Sequence, residues 1–567
     1  MNNIFIQLAI ILSLSSALGF ITYKLKLPLL IAYLLGGVII SAAVTFDVSK
    51  SLALSFLPDI GIAFVLFLVG MELDLRELKN FGKQIIIAGI LQIIITGTLG
   101  TYLAQSFGFS LGESIMLGIG LSFSSTLVVV KLLLDRKDLT SLYGKLCVGV
   151  LLLEDLVAVL ILLGLSSSIS LFSIGGDILP AFIFLVKVVA LFATAALINR
   201  FILSTVFKAV SDSPELLFLT ALAWCFGFIT VSVLMGFSVI IGAFLAGVAL
   251  ASSPYHFHIQ GKIKPMRDFF IALFFVYLGT RVNFSQSSLA TVPLILIFSF
   301  YAVFAKPVIF LLLFGTFGFR KHTMFQTAIN LSQVSEFSLI VLLVGYEMGV
   351  VSQSALTVIA MSSVISFVIS SLMISQSGRI YKFVSSGVSF FERKKQLSIP
   401  KEPVNQLLEH VVVIGAHRVG GEIVRFLKKE KHPLVVLDFN PHQVEILLSQ
   451  EIPVIFGDAS DPEVLDLLSL SDAKMIISTS PDLESNKTLL EDLKLRNINI
   501  PAIIRAETIK DAETLYKRGA DFCILPEIMA GDMLLDTIKD HLNDSSFFKD
   551  RPRIELEKLS RKILSWG

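Results

Sequence analysis

Charged side chains are scarce. Only 16% of the 567 residues are Asp, Glu, Lys or Arg, against about a quarter in soluble domains, so most of this chain does not face water. Cysteine is scarce as well. Cys147, Cys225 and Cys523 are scattered along the chain, which excludes a disulfide framework or a cysteine metal centre. The net charge of +1 leaves no whole-chain field to steer the protein toward nucleic acid. Only Asn2 and Asn3 precede the first apolar run, and without a basic n-region or a small-residue cleavage site no cleavable signal is expected.

What abounds is apolar. Hydrophobic residues make up 54% of the chain, including 46 Phe. Apolar runs near 3–22, 29–45, 52–70, 84–105, 113–133, 146–166, 179–203, 215–233, 236–252, 268–282, 291–317, 323–346 and 353–375 predict a polytopic α-helical membrane protein of about 13 transmembrane helices. Alternate loops hold nearly all of the flanking Lys and Arg. They include Lys24 and Lys26, Arg136 and Lys137, Lys262, Lys264 and Arg267, and Arg379 and Lys382. That asymmetry predicts an external N-terminus and a cytoplasmic C-terminus in the inner membrane.

The stretch 148–160, VGVLLLEDLVAVL, organises the rest. Glu154 and Asp155 stand side by side inside a run of transmembrane length. A charge at mid-bilayer depth costs ~2.5–3.5 kcal/mol on insertion scales, so such residues are rare and usually functional. Neighbours on a helix diverge by about 100°, so one carboxylate can face a polar cavity while the other faces a neighbouring helix. Burial disfavours the charged form of a carboxylate, which makes such a group a candidate proton carrier. The plain alternative is an ion pair that only holds helices together.

Two further spans carry polar interruptions. Ser122-Phe123-Ser124-Ser125-Thr126 lies in one, and Asn330, Ser332, Gln333, Ser335 and Glu336 lie in the other. Paired broken helices of inverted repeats are where transporters build midplane sites, and freed carbonyls and hydroxyls there can replace a cation's hydration shell. Lys306, followed by Pro307, is another buried charge, and Asp155 is its expected partner. Asp59 and Lys187 are read as interfacial or structural. His256 and His258 are read as loop residues that make no metal site, for want of a third ligand.

The composition changes near Ser385. A basic linker (392–396, ERKKQ) leads to a soluble pattern of short apolar strands alternating with helical stretches. This predicts an α/β Rossmann-like domain with a doubly wound parallel sheet. The expected boundaries are an exchanger domain at 1–380, a linker at 381–405, the α/β domain at 406–531 and a helical tail at 532–567. Gly415-Ala416-His417-Arg418-Val419-Gly420 fits G-x-G-x-x-G except that His417 replaces the middle glycine, where a backbone would approach pyrophosphate. Asp438 then ends the second strand as the expected ribose-binding acid. Asn440, Asp458 and Arg505 complete the candidate nucleotide site. A Rossmann scaffold with an empty site is the alternative.

In order, FLVGMELDLREL, LSFSSTLVV, LLLEDLVAV, FFVYLGTRVNF, AKPV and NLSQVSEFSLIV make a chain that resembles the monovalent cation:proton antiporter-2 family, which includes the Kef-type potassium efflux systems. The soluble part resembles the TrkA-N, or regulator-of-potassium-conductance N-terminal, domain. The resemblance implies an antiporter fold of inverted repeats and a homodimer whose core moves against a scaffold. It implies Asp155 as the ion-binding carboxylate, with Ser124 to Thr126 at one helix crossing and Lys306 as the basic partner. Ser125, Glu154, Ser335 and Glu336 join the candidate transport site. Kef-type members often have Gln where Glu154 stands and Gly where His417 stands. Arg418 and Arg505 fall where they use arginines for glutathione-linked control, but the neighbouring sequence differs too much to carry glutathione over.

The expected function is exchange of K⁺ or Na⁺ for H⁺ by alternating access. Asp155 binds each ion in turn, burial favouring its protonated form and Lys306 its charged form. An adenine nucleotide, AMP or NAD(H), is expected in the cytoplasmic domain. Membrane lipid and an ancillary protein are the other expected partners, and nucleic acid is not one. The rivals are a ligand-gated efflux channel and a membrane-tethered NAD-dependent enzyme. No hydride-transfer site or substrate domain supports the latter.

Overall fold

The computed structural model describes residues 4–43, 57–72, 83–136, 138–139, 141–165, 191, 193–195, 197–198, 201, 203–211, 213–251, 253, 255–282, 288–392, 407–542 and 556. The span expected over 179–203, Lys187, most of the 392–396 linker and the tail beyond Leu542 fall largely outside them. The chain divides into two compact units, Met1–Gln396 and Leu397–Gly567.

The first unit is helical. Its elements are α1 (Ile4–Lys24), α2 (Leu29–Ala43), α3 (Leu57–Glu72), α4 (Lys83–Ser106), α5 (Leu111–Ser122), α6 (Thr126–Arg136), α7 (Leu142–Leu165), α8 (Ser204–Val210), α9 (Pro214–Leu234), α10 (Val239–Ala251), α11 (His256–Arg281), α12 (Ser288–Phe300), α13 (Lys306–Thr316), α14 (Lys321–Asn330), α15 (Glu336–Glu347), α16 (Gln353–Ser375) and α17 (Ser377–Val388). Six helical runs among the described residues are long and apolar enough to cross a membrane. Three more, Leu29–Ala42, Ile60–Met71 and Val239–Ala251, are apolar but shorter. Charges interrupt α11 and a break divides α14 from α15. A single turn of π geometry, Tyr301–Ala305, joins α12 to α13 without a break, and Pro307 follows it as the second residue of α13.

Two packed groups emerge. In one, α1, α2, α3, α9, α10 and α11 pack on one another. In the other, α4 to α7 and α12 to α16 do so. We call them the scaffold group and the core group. Within the core group, both polar interruptions break their helices. Residues 123–125 separate α5 from α6, and residues 331–335 separate α14 from α15.

One reading of the sequence fails here. His256, His258, Lys262, Lys264 and Arg267, expected in a loop, all lie within α11, which runs through Pro265. Hydropathy ended the span where charges began, but the hydrogen-bonded helix continues beyond its apolar part.

The second unit holds β1 (His410–Ile414), α18 (Arg418–Lys429), β2 (Leu434–Asp438), α19 (Pro441–Ser449), β3 (Val454–Phe456), α20 (Pro462–Asp466), β4 (Ala473–Ser478), α21 (Leu483–Leu495), β5 (Ala502–Arg505), α22 (Ile509–Arg518), β6 (Phe522–Ile524) and α23 (Pro526–His541). The sheet order is β3-β2-β1-β4-β5-β6, and every pairing is parallel. β1 and β2 are buried along their whole length, as strands covered by helices on both faces must be. This is the doubly wound order with its switch point between β1 and β4.

Candidate functional site

Four half-helices meet at the two breaks of the core. Ser124 Oγ lies 3.2 Å from the Leu331 carbonyl, so the unwound segments touch. Leu127 N–H, in the first turn of α6, points at Glu336 Oε1 across 3.4 Å. The Ser338 hydroxyl donates to the Gly120 carbonyl, tying α15 to α5. The free N–H groups at the starts of α6 and α15 and the free carbonyls at the ends of α5 and α14 thus converge, which makes the crossing polar inside an apolar bundle.

Gln92 on α4, fully buried, donates from Nε2 to the Ser122 carbonyl at 2.9 Å. On α16, Ser370 Oγ donates to Gln333 Oε1 at 2.7 Å, and Ser366 Oγ accepts the Val334 N–H at 3.3 Å. These supports were missed in the sequence. Ser362, Ser366 and Ser370 recur every four residues in an otherwise apolar span, and that spacing was the available signal.

α7 presents its two carboxylates to different neighbours. Asp155 Oδ2 accepts the Thr126 hydroxyl at 2.9 Å. Asp155, Thr126, Leu127 and Glu336 line a cavity with about 550 Å³ of free space, its mouth included. The opposite wall comes from the scaffold group, with Ile62 and Val65 of α3 and Arg267 and Phe274 of α11. Glu154 turns away from this cavity. Its Oε2 accepts the Ser124 N–H at 2.6 Å, and its Oε1 lies 3.4 Å from Ser124 Oγ.

Lys306 corrects the sequence reading. Its fully buried Nζ donates to the Gln333 carbonyl at 3.3 Å, and its charge acts on Glu154. The cause is helical geometry. The face of α7 that looks toward α13 and the crossing carries residue 154, and residue 155 lies about 100° round the axis. The transport residues expected from sequence therefore divide. Asp155, Thr126 and Glu336 face the cavity, while Glu154, Ser124 and Lys306 form a polar cluster behind it. Ser125 Oγ accepts the Val128 N–H, and Ser335 Oγ caps α15 through the Phe337 N–H. Neither lines the cavity.

The sequence marks Arg267 only as a basic flank. It is buried, its Nε and Nη2 both bond to Asp268 Oδ1 at 3.0 and 2.9 Å, and its charge acts on Glu336 across the cavity. Glu336 Oε2 is buried without a partner among the described residues. No signal in the sequence distinguished Arg267 from Lys262 or Lys264, because only the packing of α11 on α3 brings it to this wall.

In the second unit, Gly415 has φ +79°, and a Cβ on Gly420 would lie 1.8 Å from the Gly415 carbonyl oxygen. The turn after β1 therefore needs glycine at both positions. His417 is exposed at the start of α18, and Arg418 is that helix's first residue. Asp438 Oδ2 accepts the Ala416 N–H and Oδ1 the Asn440 N–H, both at 2.8 Å, so this acid latches the glycine turn. Asp458 Oδ1 accepts the Ser460 N–H and the Ser485 hydroxyl. Arg505 Nη2 pairs with Glu507 at 2.6 Å. Burial pushes the Asp482 carboxyl above its usual range, against the opposing Ser485 hydrogen bonds and with the Asp458 and Glu484 charges adding to the rise. Gly415, Asp438, Asn440, Asp458, Asp482 and Arg505 lie at or just beyond the carboxyl ends of the strands, where doubly wound sheets hold ligands.

Comparison with known proteins gives the family. Residues 9–377 match the family described as sodium/hydrogen exchanger, transmembrane, and residues 411–526 match the TrkA-N domain. The chain is similar to the ammonium/H(+) antiporter subunit AmhT of Alkalihalophilus pseudofirmus, 28% identical over 403 residues that cover 70% of this chain and 97% of the relative. It is also similar to the glutathione-regulated potassium-efflux system protein KefC of Cronobacter sakazakii, 25% identical over 524 residues that cover 91% and 82%. Among solved structures, the sodium proton antiporter MjNhaP1 of Methanocaldococcus jannaschii is 15% identical, with a TM-score of 0.44 over 70% of this chain and 100% of that one.

Proposed function

This chain belongs to the transmembrane sodium/hydrogen exchanger family, and from that premise we propose that it exchanges K⁺ or Na⁺ for H⁺ with Asp155 as the carrier. It is a transporter, not an enzyme. The carrying observation is the Asp155 carboxylate beside the Thr126 hydroxyl, at the joint of two broken helices and facing a cavity between two helix groups. A carboxylate there binds either a proton or a cation, and movement of the core group against the scaffold group exposes it to one side and then the other. A homodimer through the scaffold group and an inner-membrane location with the N-terminus outside complete the reading. The test uses liposomes containing a pH dye, with K⁺, Na⁺ and Li⁺ added separately. Cation-driven proton movement supports exchange, and cation flux without proton movement marks a channel instead.

Arg267 acts on this site as a fixed positive charge on the scaffold wall. Its charge, partly offset by the Asp268 carboxylate, disfavours an incoming cation. Arg267→Gln lowers the KM for the cation roughly tenfold, the worth of about 1.4 kcal/mol of repulsion at the effective dielectric of protein interiors. Arg267→Lys keeps the wild-type KM. Equal KM values for wild type and Arg267→Gln would remove this role.

The 406–531 region serves as a regulatory domain that binds an adenine nucleotide, its phosphate at the N-terminus of α18 where free N–H groups and the helix dipole favour an anion. Asp438 already accepts two backbone N–H groups, and His417 stands where a glycine would let pyrophosphate approach. A mononucleotide such as AMP is therefore favoured over a dinucleotide. Calorimetry on the detergent-solubilised full chain tests the ranking. AMP binds, and Asp438→Ala weakens it at least tenfold by loosening the glycine turn. Tight NADH binding with none for AMP reverses the order.

A further inference from the structure

α17 begins just after α16 ends at Ser375, with only Gln376 between the two helices. Its inner face is held by the core group. Ser377 Oγ accepts from Arg136 Nη1 at 3.1 Å, and Arg136 also bonds to the Ile374 carbonyl. The Tyr381 ring packs edge-on against His322 at 5.0 Å and tilted against Phe325 at 5.3 Å. The turn that follows α17 brings the Phe391 carbonyl against Gly315, where a Cβ would come within 2.1 Å of it. Residues 377–391 thus strap together the ends of α6, α13 and α14. Those helices carry Thr126, Lys306 and the second unwound segment.

Among the described residues, the outer face has no such cover. Phe383 is 90% exposed and Phe390 86% exposed, with exposed Arg379 and Lys382 on the same side. Positions 379, 383, 386 and 390 fall on one stripe of the helix and its following turn. α17 contains no acidic residue, Arg320 and Lys321 begin the neighbouring α14, and Arg393, Lys394 and Lys395 follow in the chain. A helix that leaves a membrane span through a single-residue break, with aromatic rings and basic groups on its outer face, has the chemistry of an interfacial helix on anionic lipid. Rings enter the acyl boundary while cations meet headgroups.

We propose that residues 377–391 form a membrane-surface anchor for anionic phospholipid headgroups. The strap carries that attachment to the three helices of the transport site. This consequence rests on the exchange reading, but the binding itself does not, and the two are measured separately.

The anchor is tested on the full chain in liposomes, with Phe383→Cys labelled by an environment-sensitive fluorophore. The native Cys147, Cys225 and Cys523 are buried and stay unlabelled. Leu495→Cys, at a position 82% exposed in the second unit, is the aqueous control. The label at 383 is quenched several-fold more than the control by lipids bearing a spin label near the headgroup. The quenching rises with the fraction of phosphatidylglycerol, and the pair Arg379→Gln and Lys382→Gln removes that rise. A label at 383 that behaves like the one at 495 overturns the anchor. So does quenching indifferent to lipid charge, and so does protection that needs residues 397–567, which would make the second unit the occupant. In the same vesicles, exchange by the wild type increases with phosphatidylglycerol and exchange by the Arg379→Gln, Lys382→Gln chain does not. Exchange insensitive to lipid charge beside a positive quenching result overturns the link to the site. Absence of exchange in any lipid speaks only against the transport reading, because the quenching is read without it.

Discussion

Asp155→Asn abolishes cation-driven proton movement in liposomes, by at least about a hundredfold, while the purified protein keeps the thermal stability of the wild type. The amide has the shape of the carboxylate and can still accept from the Thr126 hydroxyl, now at 2.9 Å. What it loses is the ability to hold a proton or to compensate a dehydrated cation, the reason a carboxylate is kept at that depth. Unchanged stability separates loss of the carrier from loss of the fold. Wild-type-like exchange would pass the role to Glu336, the other carboxylate on the cavity wall, and Glu336→Gln would then be the variant that abolishes exchange.

Lys306→Met destabilises the protein by about 3–5 kcal/mol, the usual consequence of removing one partner from a buried charge pair. Glu154→Gln in the same chain restores most of that loss, because the stranded carboxylate is gone. Melting of the two single variants and the double variant gives the coupling directly. Restoration by Asp155→Asn instead of Glu154→Gln would reinstate the pairing expected from sequence. The same geometry bears on charge movement. Glu154 bonds to Ser124 behind the cavity, so Glu154→Gln keeps exchange active and one-for-one. With Na⁺ as substrate and a potassium–valinomycin potential imposed, wild type and Glu154→Gln show no voltage dependence. A second proton per cycle would respond to ~2.3 kcal/mol per unit charge at 100 mV. Voltage dependence in the wild type that vanishes in Glu154→Gln would place Glu154 in the transport cycle.

The sequence by itself determined the class of this protein and the places where its helices break. Long apolar runs have one stable outcome in lipid, because a backbone without water must satisfy its own hydrogen bonds as helix. Clustered Ser, Asn and Gln inside such runs, at 122–126 and 330–336, can interrupt that pattern only where polar neighbours await. The six strands were equally legible, since short buried β-branched runs between Gly-rich turns and helices form a parallel sheet in few ways. Adjacency on one helix also separated Glu154 from Asp155, through the fixed rotation per residue.

Only the tertiary structure decided which neighbour each of them meets. Lys306 and α7 are far apart in the chain, and the pairing depends on how α13 lies against the crossing, a long-range packing outcome that no local pattern encodes. Arg267 reaches the cavity because α11 packs on α3 and continues helically past its apolar part. Asp438 spends its carboxylate on the glycine turn because β1 and β2 are adjacent in register. In each case the residue type was visible, but its partner was set by side-chain burial summed over several elements, which short-range propensity does not contain.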